Sequence, residues 1–381
     1  MDVVTLAQAL VRAESVTPAG PAVFDVIAAP LAAAGFTVER LTFGEGADSV
    51  ENLVATRGGN GPHLALCGHV DVVPPGDPAR WTHPPFSGAI EGDTLHGRGA
   101  QDMKGGVAAM VSAALKWAAD GGPGRITLLI TGDEEGPAVH GTADLVDWCR
   151  DRMAFDAALV GEPTSRAVLG DTVKVGRRGS VTGTVRVRGT QGHVAYPEKA
   201  DNPIPALLAI ATALGEPLDE GTDVFQPSNL EIVSIDVGNP ADNLIPAEAT
   251  LRFNVRFNDT WTSETLIAAL TDRMTAVAPP ERFDLTWRVS GEAFRAEDPR
   301  FVDTVCSAIE EATGVHPELS TGGGTSDARF IIALCPVAEF GAVGDRMHQI
   351  DEATSCDELR RLSAAYGTLI GRILGPGSPY A

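Results

Sequence analysis

Apolar positions along this chain keep two rhythms, helical stripes and short continuous runs, and their alternation outlines a fold. Val3, Leu6, Leu10 and Val11 share one face of a predicted helix over 3–13, which Thr17-Pro18 ends. A second helix is predicted over 22–34 and closed by Gly35, and 36–43 with 52–57 reads as an edge hairpin. Apolar runs then predict strands at 63–70, 126–130 and 155–160, with helices over 107–119 and 142–151 between them. The run Ile126 to Ile130 is rich in β-branched residues and flanked by Gly and Pro, the pattern of a strand buried on both faces. Strand, helix, strand in that order implies a parallel crossover.

Near residue 180 the rhythm changes. Residues 180–189 alternate like a half-exposed strand. A helix at 203–214, strands at 229–237 and 250–257, a helix at 262–277 and a strand at 282–289 follow. That order, β-α-β-β-α-β, is the split βαβ plan. A helix at 299–313, a loop at 320–330, a strand at 336–341 and a last helix at 357–373 complete the chain. The expected fold is α/β. A mostly parallel sheet domain, residues 1–179 and 293–381, is interrupted by a smaller α+β domain at 180–292. A split βαβ sheet leaves an edge open, and an identical edge can pair with it across a two-fold axis, so a homodimer through the inserted domain is expected.

Composition narrows the partners. The 381 residues are 44% hydrophobic and carry a formal net charge of −22, which argues against nucleic acid or an anionic membrane surface. A small carboxylate-bearing substrate is still compatible, because local arginines can override the global field. Five scattered cysteines with no C-x-x-C pair fit reduced thiols in a cytoplasm. The first residues lack the build of a signal peptide, and no apolar run reaches membrane-spanning length.

The chemistry gathers where the strands end. The first runs into His69-x-Asp71, the second into Asp133-Glu134-Glu135, and the third into Gly161-Glu162-Pro163. Open α/β sheets bind ligands at the carboxyl ends of their strands. Adjacent carboxylates there repel one another unless a cation joins them; an exposed acidic turn is the plainer reading of 133–135 taken alone. His-x-Asp at a strand end allows the Asp to hold the imidazole tautomer from behind. Asp102, in a glycine-punctuated loop before a helix, is either an N-cap or a ligand. With His348, the candidate ligands are His69, Asp102, Glu135 and Glu162, leaving Glu134 free. Imidazole with carboxylate suits zinc, with cobalt or manganese as substitutes. Five ligands exceed the need of one catalytic zinc and suit two ions sharing a carboxylate. Glu134 is then the carboxylate free to move a proton from water to a leaving amine.

H-x-D at 69–71, G-R-G-A-Q-D-M-K-G-G at 97–106, D-E-E-G at 133–136, G-E-P at 161–163 and His348 resemble the dinuclear zinc exopeptidase and deacylase family. The resemblance covers the whole chain. It implies a zinc-exopeptidase-like catalytic domain with an inserted dimerisation and lid domain. It implies His69 and Glu162 on one zinc, Glu135 and His348 on the other, and Asp102 bridging, with cobalt a possible substitute. It further implies Glu134 as general acid/base, Asp71 behind His69, and a cis peptide after Asp102.

Arg177 and Arg178 with Ser180 form a donor cluster in an acidic protein, and arginine forks bind carboxylates bidentately. The stretches at 170–180, 192–197, 243–248 and 323–330, with Arg256, most resemble the desuccinylases of that family, whose substrate carries several carboxylates. By that resemblance Tyr196, Asn243, Gly324 and Thr325 complete the pocket, and His193 supports the oxyanion from the neighbouring subunit. An acetylornithine deacetylase or other N-acyl-amino-acid hydrolase is the alternative, and a non-catalytic zinc-dependent binding protein the remote one. His140 and Gly344-Asp345-Arg346 depart from the desuccinylase pattern.

Overall fold

The computed structural model describes residues 1–380. Its central strand, Arg125–Thr131, is buried from Ile126 onward. It runs antiparallel to Val50–Gly58 on one side and parallel to His63–His69 on the other. His63–His69 is followed by Ala157–Val160 and Val337–Glu339, all parallel. Thr37–Phe43 closes one edge of this eight-stranded sheet, and Thr172–Lys174 with Glu318–Ser320 closes the other. The mixed, mostly parallel sheet therefore has its three chemistry-bearing strands side by side. Their common direction brings His69, Asp133 and Glu162 to the same end.

Helices Val3–Arg12, Lys104–Ala119, Pro299–Thr313 and Cys356–Leu374 pack on one another and share one apolar core with the sheet. The second of these, Lys104–Ala119, differs from the sequence expectation. The helix starts at Lys104, so Gly105 and Gly106 lie inside it. A Cβ at Gly105 would stand 2.4 Å from the Ala100 carbonyl oxygen, and one at Gly106 2.4 Å from that of Gly161. These glycines serve close packing rather than a loop. The N-cap is Met103, without a side-chain cap bond, so Asp102 is not a capping residue. The Asp102–Met103 peptide is cis.

The chain divides into two compact units. The larger holds Met1–Val175, Ala296–Ser320 and Ser326–Ala381; the smaller holds Gly176–Arg295 and Thr321–Thr325. The smaller unit is built on a four-stranded antiparallel sheet ordered Asn229–Asp236, Glu248–Phe257, Gly179–Arg188, Phe283–Gly291. Helices Pro203–Leu214 and Ser263–Thr275 touch each other and the central strands, so both cover one face. Their core is Val181, Val185, Leu207, Ile210, Leu251, Phe253, Leu266 and their neighbours. The edge strand Asn229–Asp236 exposes Ile232, Val233 and Ile235. Among the described residues no helix is long and apolar enough to cross a membrane.

Candidate metal centre

His69 ends its strand 1% exposed, with Asp71 fully buried two residues on. The geometry around them divides the work. His69 Nδ1 lies 3.0 Å from the Asp71 main-chain oxygen and 3.5 Å from its carboxylate. The Asp71 carboxylate instead accepts the amides of Glu134 and Glu135, at 3.0–3.2 Å. Asp71 thus fixes the imidazole mainly through its backbone and clamps the acidic turn with its side chain. Burial opposes ionising this carboxyl, but His69 and the two amides hold it below its ordinary range.

The other ring nitrogen of His69 faces Asp102 Oδ1 at 3.2 Å and Glu162 Oε1 at 3.8 Å. Across the same carboxylate, His348 Nε2 lies 3.4 Å from Asp102 Oδ2 and 2.9 Å from Glu135 Oε1. Two donor triplets, His69-Asp102-Glu162 and Asp102-Glu135-His348, therefore meet at Asp102, each with its donor atoms within 4.8 Å of one another. One carboxylate presents one oxygen to each triplet. That is the arrangement two ions sharing a carboxylate require.

The electrostatics ask for cations. Burial pulls His69 down, but Asp102, Asp71 and Glu162 outweigh it and hold the imidazole well above its usual value. Asp102 and Glu135 push His348 up to about 10. Burial, with Asp102 next in weight, drives Glu162 well above the carboxylate range. Burial also pushes Glu134 up to about 8; His69 opposes this, and Asp327, Glu135 and Asp102 add to it. Two imidazoles cannot balance so many buried acids, and a divalent ion in each triplet can. The donor set, imidazole and carboxylate, fits zinc or cobalt.

Sequence reasoning missed a buried layer beneath these groups. Arg98 and Glu352, 2% and 0% exposed, are paired at 2.6 Å. Glu352 Oε1 accepts the amides of Gln101 at 2.9 Å and Asp102 at 3.3 Å. Arg98 donates to the carbonyls of His348 at 3.2 Å and Gln349 at 3.1 Å. One ion pair thus holds the Asp102 loop and the His348 loop together. Gln101 adds a second tie, donating to Asp345 at 2.7 Å and accepting the Arg346 amide at 2.8 Å. The unusual Gly344-Asp345-Arg346 stretch is therefore part of this support. Asp327, which burial pushes up to about 6, accepts from the Thr142 hydroxyl at 2.7 Å. Only Arg98, an arginine between two glycines, carried a local signal.

The remaining candidates all belong to the smaller unit and form two groups within it. In the first, Arg177 donates to the Gly324 carbonyl at 3.0 Å, fastening 321–325, the segment that includes Thr325. Ser180 faces Arg256 across the strand pair. Arg178 donates to Asn229 Oδ1 at 2.8 Å, while its Nε is buried without a hydrogen-bond partner. In the second group, His193 pairs with Leu244, the Val194 amide donates to the Asn243 carbonyl at 3.1 Å, and the His193 and Tyr196 rings lie 5.7 Å apart. His193, Tyr196 and Asn243 are exposed. The strand Gly179–Arg188 separates the groups, with Ser180 at its start and residue 192 beyond its end.

Residues 65–372 match Peptidase family M20/M25/M40. The succinyl-diaminopimelate desuccinylase of Xanthobacter autotrophicus is 52% identical over 372 residues, spanning 96% of this chain and 98% of the relative. That of Methylorubrum populi is 54% identical over 375 residues, spanning 96% and 97%. Among solved structures, an M20 family metallo-carboxypeptidase from Sulfolobus solfataricus superposes with a TM-score of 0.79 at 15% identity, covering 97% of this chain and 98% of that one. A dinuclear metal binding peptidase of the M20 family from Bacillus subtilis gives a TM-score of 0.71 at 16% identity, covering 98% and 97%. These two share the fold.

Proposed function

The chain belongs to peptidase family M20/M25/M40, and we propose that it is a dinuclear zinc amide hydrolase that removes succinate from N-succinyl-LL-2,6-diaminopimelate, leaving LL-2,6-diaminopimelate. The observation that carries this reading is the Asp102 carboxylate, which faces one donor triplet with each oxygen, in the field of the buried Glu134. His69 and Glu162 would hold one zinc and Glu135 and His348 the other, with Asp102 offering one oxygen to each; cobalt would be accepted in their place. The chemistry such a pair of ions would supply is polarisation of the scissile carbonyl and a lowered pKa for the attacking water.

The chain's own residues do the rest. Glu134 accepts the proton of the attacking water and passes it to the leaving amine nitrogen as the amide bond breaks. Asp71 fixes the turn that carries Glu134 and Glu135. Arg178, with its unsatisfied Nε, takes a substrate carboxylate, and Arg177, Ser180, Arg256, Gly324 and Thr325 shape the same subsite. The exposed apolar edge Ile232, Val233, Ile235 joins two chains into a homodimer. His193, with Tyr196 and Asn243, then serves the partner's centre, where its imidazole donates to the developing oxyanion. The reaction belongs to a cytoplasmic biosynthesis of lysine and cell-wall precursor.

The test is to give the zinc-loaded protein N-succinyl-LL-2,6-diaminopimelate and N-acetylornithine side by side and follow primary amine release. Release from the succinylated compound at a much higher kcat/KM is expected. A preference for N-acetylornithine overturns the substrate assignment.

A further inference from the structure

A second cluster of metal-ligating side chains lies in the larger unit, away from the residues discussed so far. The hairpin Ala89–Glu91 and Thr94–His96 pairs Ala89 with His96. Glu91, two residues past Ala89, falls on the same hairpin face as His96. His83, from the loop after Pro78–Arg80, covers that face. Its ring lies 4.4 Å from the His96 ring, centroid to centroid, and its Nε2 lies 3.4 Å from Glu91 Oε2. One donor atom from each of the three residues falls within 4.8 Å of the other two.

Three features mark this as a ligand site rather than a chance surface group. His83 Nε2 is buried and makes no hydrogen bond, which is costly for a polar atom unless something else fills that place. The 3.4 Å between His83 and Glu91 is close to the roughly 3.3 Å that two donors keep around a tetrahedral zinc with bonds of about 2.0–2.1 Å. Two imidazoles and one carboxylate are a zinc-type donor set, too nitrogen-rich for magnesium or calcium.

We propose that His83, Glu91 and His96 bind one divalent transition-metal ion of the zinc class, separate from the centre at Asp102. Three protein ligands leave the ion positions for water. The bound ion ties the 81–83 loop to the hairpin. That loop already reaches Asp351, whose carboxylate accepts the Thr82 amide at 2.7 Å and hydroxyl at 2.9 Å. The hairpin strand Thr94–His96 pairs in turn with Ala353–Ser355. Occupancy therefore stiffens the segment that follows His348, and the ion contributes to stability.

The test is equilibrium dialysis of the untagged full chain against zinc, read as the difference in bound zinc between the wild type and a His83→Gln/His96→Gln variant. A loss of one equivalent is expected, with the amide hydrolase activity kept. Reading a difference makes the result independent of how many ions the other centre holds. A Glu91→Gln single variant, expected to bind the same ion more weakly, covers the case in which the double variant folds poorly. As a second readout, cobalt added in place of zinc to the metal-free wild type should broaden the His83 and His96 imidazole signals. Equal zinc binding by all three proteins, or cobalt that leaves those two signals sharp, overturns the proposal.

Discussion

At the residue scale the site rests on a division of labour between groups that touch ligands and groups that aim them. Glu134 is assigned the proton and no metal. Glu134→Gln should therefore keep its metal content by elemental analysis and lose about 10²–10⁴-fold in kcat. Turnover near the wild-type value in the fully metallated variant would remove Glu134 from the mechanism. Glu352 is a positioning residue, holding the Asp102 amide and, through Arg98, the His348 carbonyl. Glu352→Gln leaves the Arg98 cation buried without its partner, a change worth about 3–5 kcal/mol of stability. It should also weaken metal binding about 10–100-fold, as loss of an outer-layer partner does. A chelator competition titration reads this directly, and unchanged affinity would reduce Glu352 to a folding role. The candidate ligands are legible because each sits in a local motif at a strand or loop end. Arg98 and Glu352 are 254 positions apart, and no local pattern links them.

At the element scale the long apolar runs were readable and the short strands were not. Thr172–Lys174, Glu318–Ser320 and Ala353–Ser355 are three residues each, too short to show a period. The sequence pattern starts the helix at 107 rather than at Lys104, because Gly105 and Gly106 look like loop residues until the carbonyls of Ala100 and Gly161 are seen against them. The start of the strand His63–His69 carries a pH dependence. His63 is 5% exposed, with Nδ1 2.8 Å from the Ala154 carbonyl and Nε2 2.8 Å from the Thr127 hydroxyl. Burial lowers its pKa from 6.5 to about 4. The folded imidazole therefore stays neutral where the unfolded one takes up a proton. Its stabilising contribution is complete above pH 6.5 and is lost as pH falls toward about 4. Discounted for partial screening, the loss is on the order of 2 kcal/mol. Urea midpoints measured across that window should fall more steeply for the wild type than for His63→Asn, and parallel curves would show that His63 does not titrate this way.

At the scale of the whole molecule, the strand Gly179–Arg188 holds two sets of proposed substrate residues apart. Ser180 faces Arg256 at its start, and His193 with Asn243 lies past its other end. Eight residue steps from Ser180 to Arg188, at about 3.3 Å each, separate the two sets by roughly 26 Å. One succinylated diaminopimelate cannot span that length. If both sets serve catalysis, they meet the same substrate only when two chains contribute one set each. The sheet offers the means, because its edge strand Asn229–Asp236 leaves Ile232, Val233 and Ile235 exposed and open to a second copy. The expectation is an obligate homodimer in which His193 of one chain completes the centre of the other, supplying a hydrogen bond worth about 2.7–4 kcal/mol to the transition state. A His193→Ala chain and a Glu134→Ala chain should each be nearly inactive alone. Exchanged into heterodimers, they leave one site of two with both residues intact, and random exchange should restore about a quarter of wild-type activity. A Val233→Lys substitution at the edge should abolish that recovery by preventing pairing, seen as a monomer in sedimentation. Heterodimers verified by mass that stay inactive would mean that His193 serves its own chain or none.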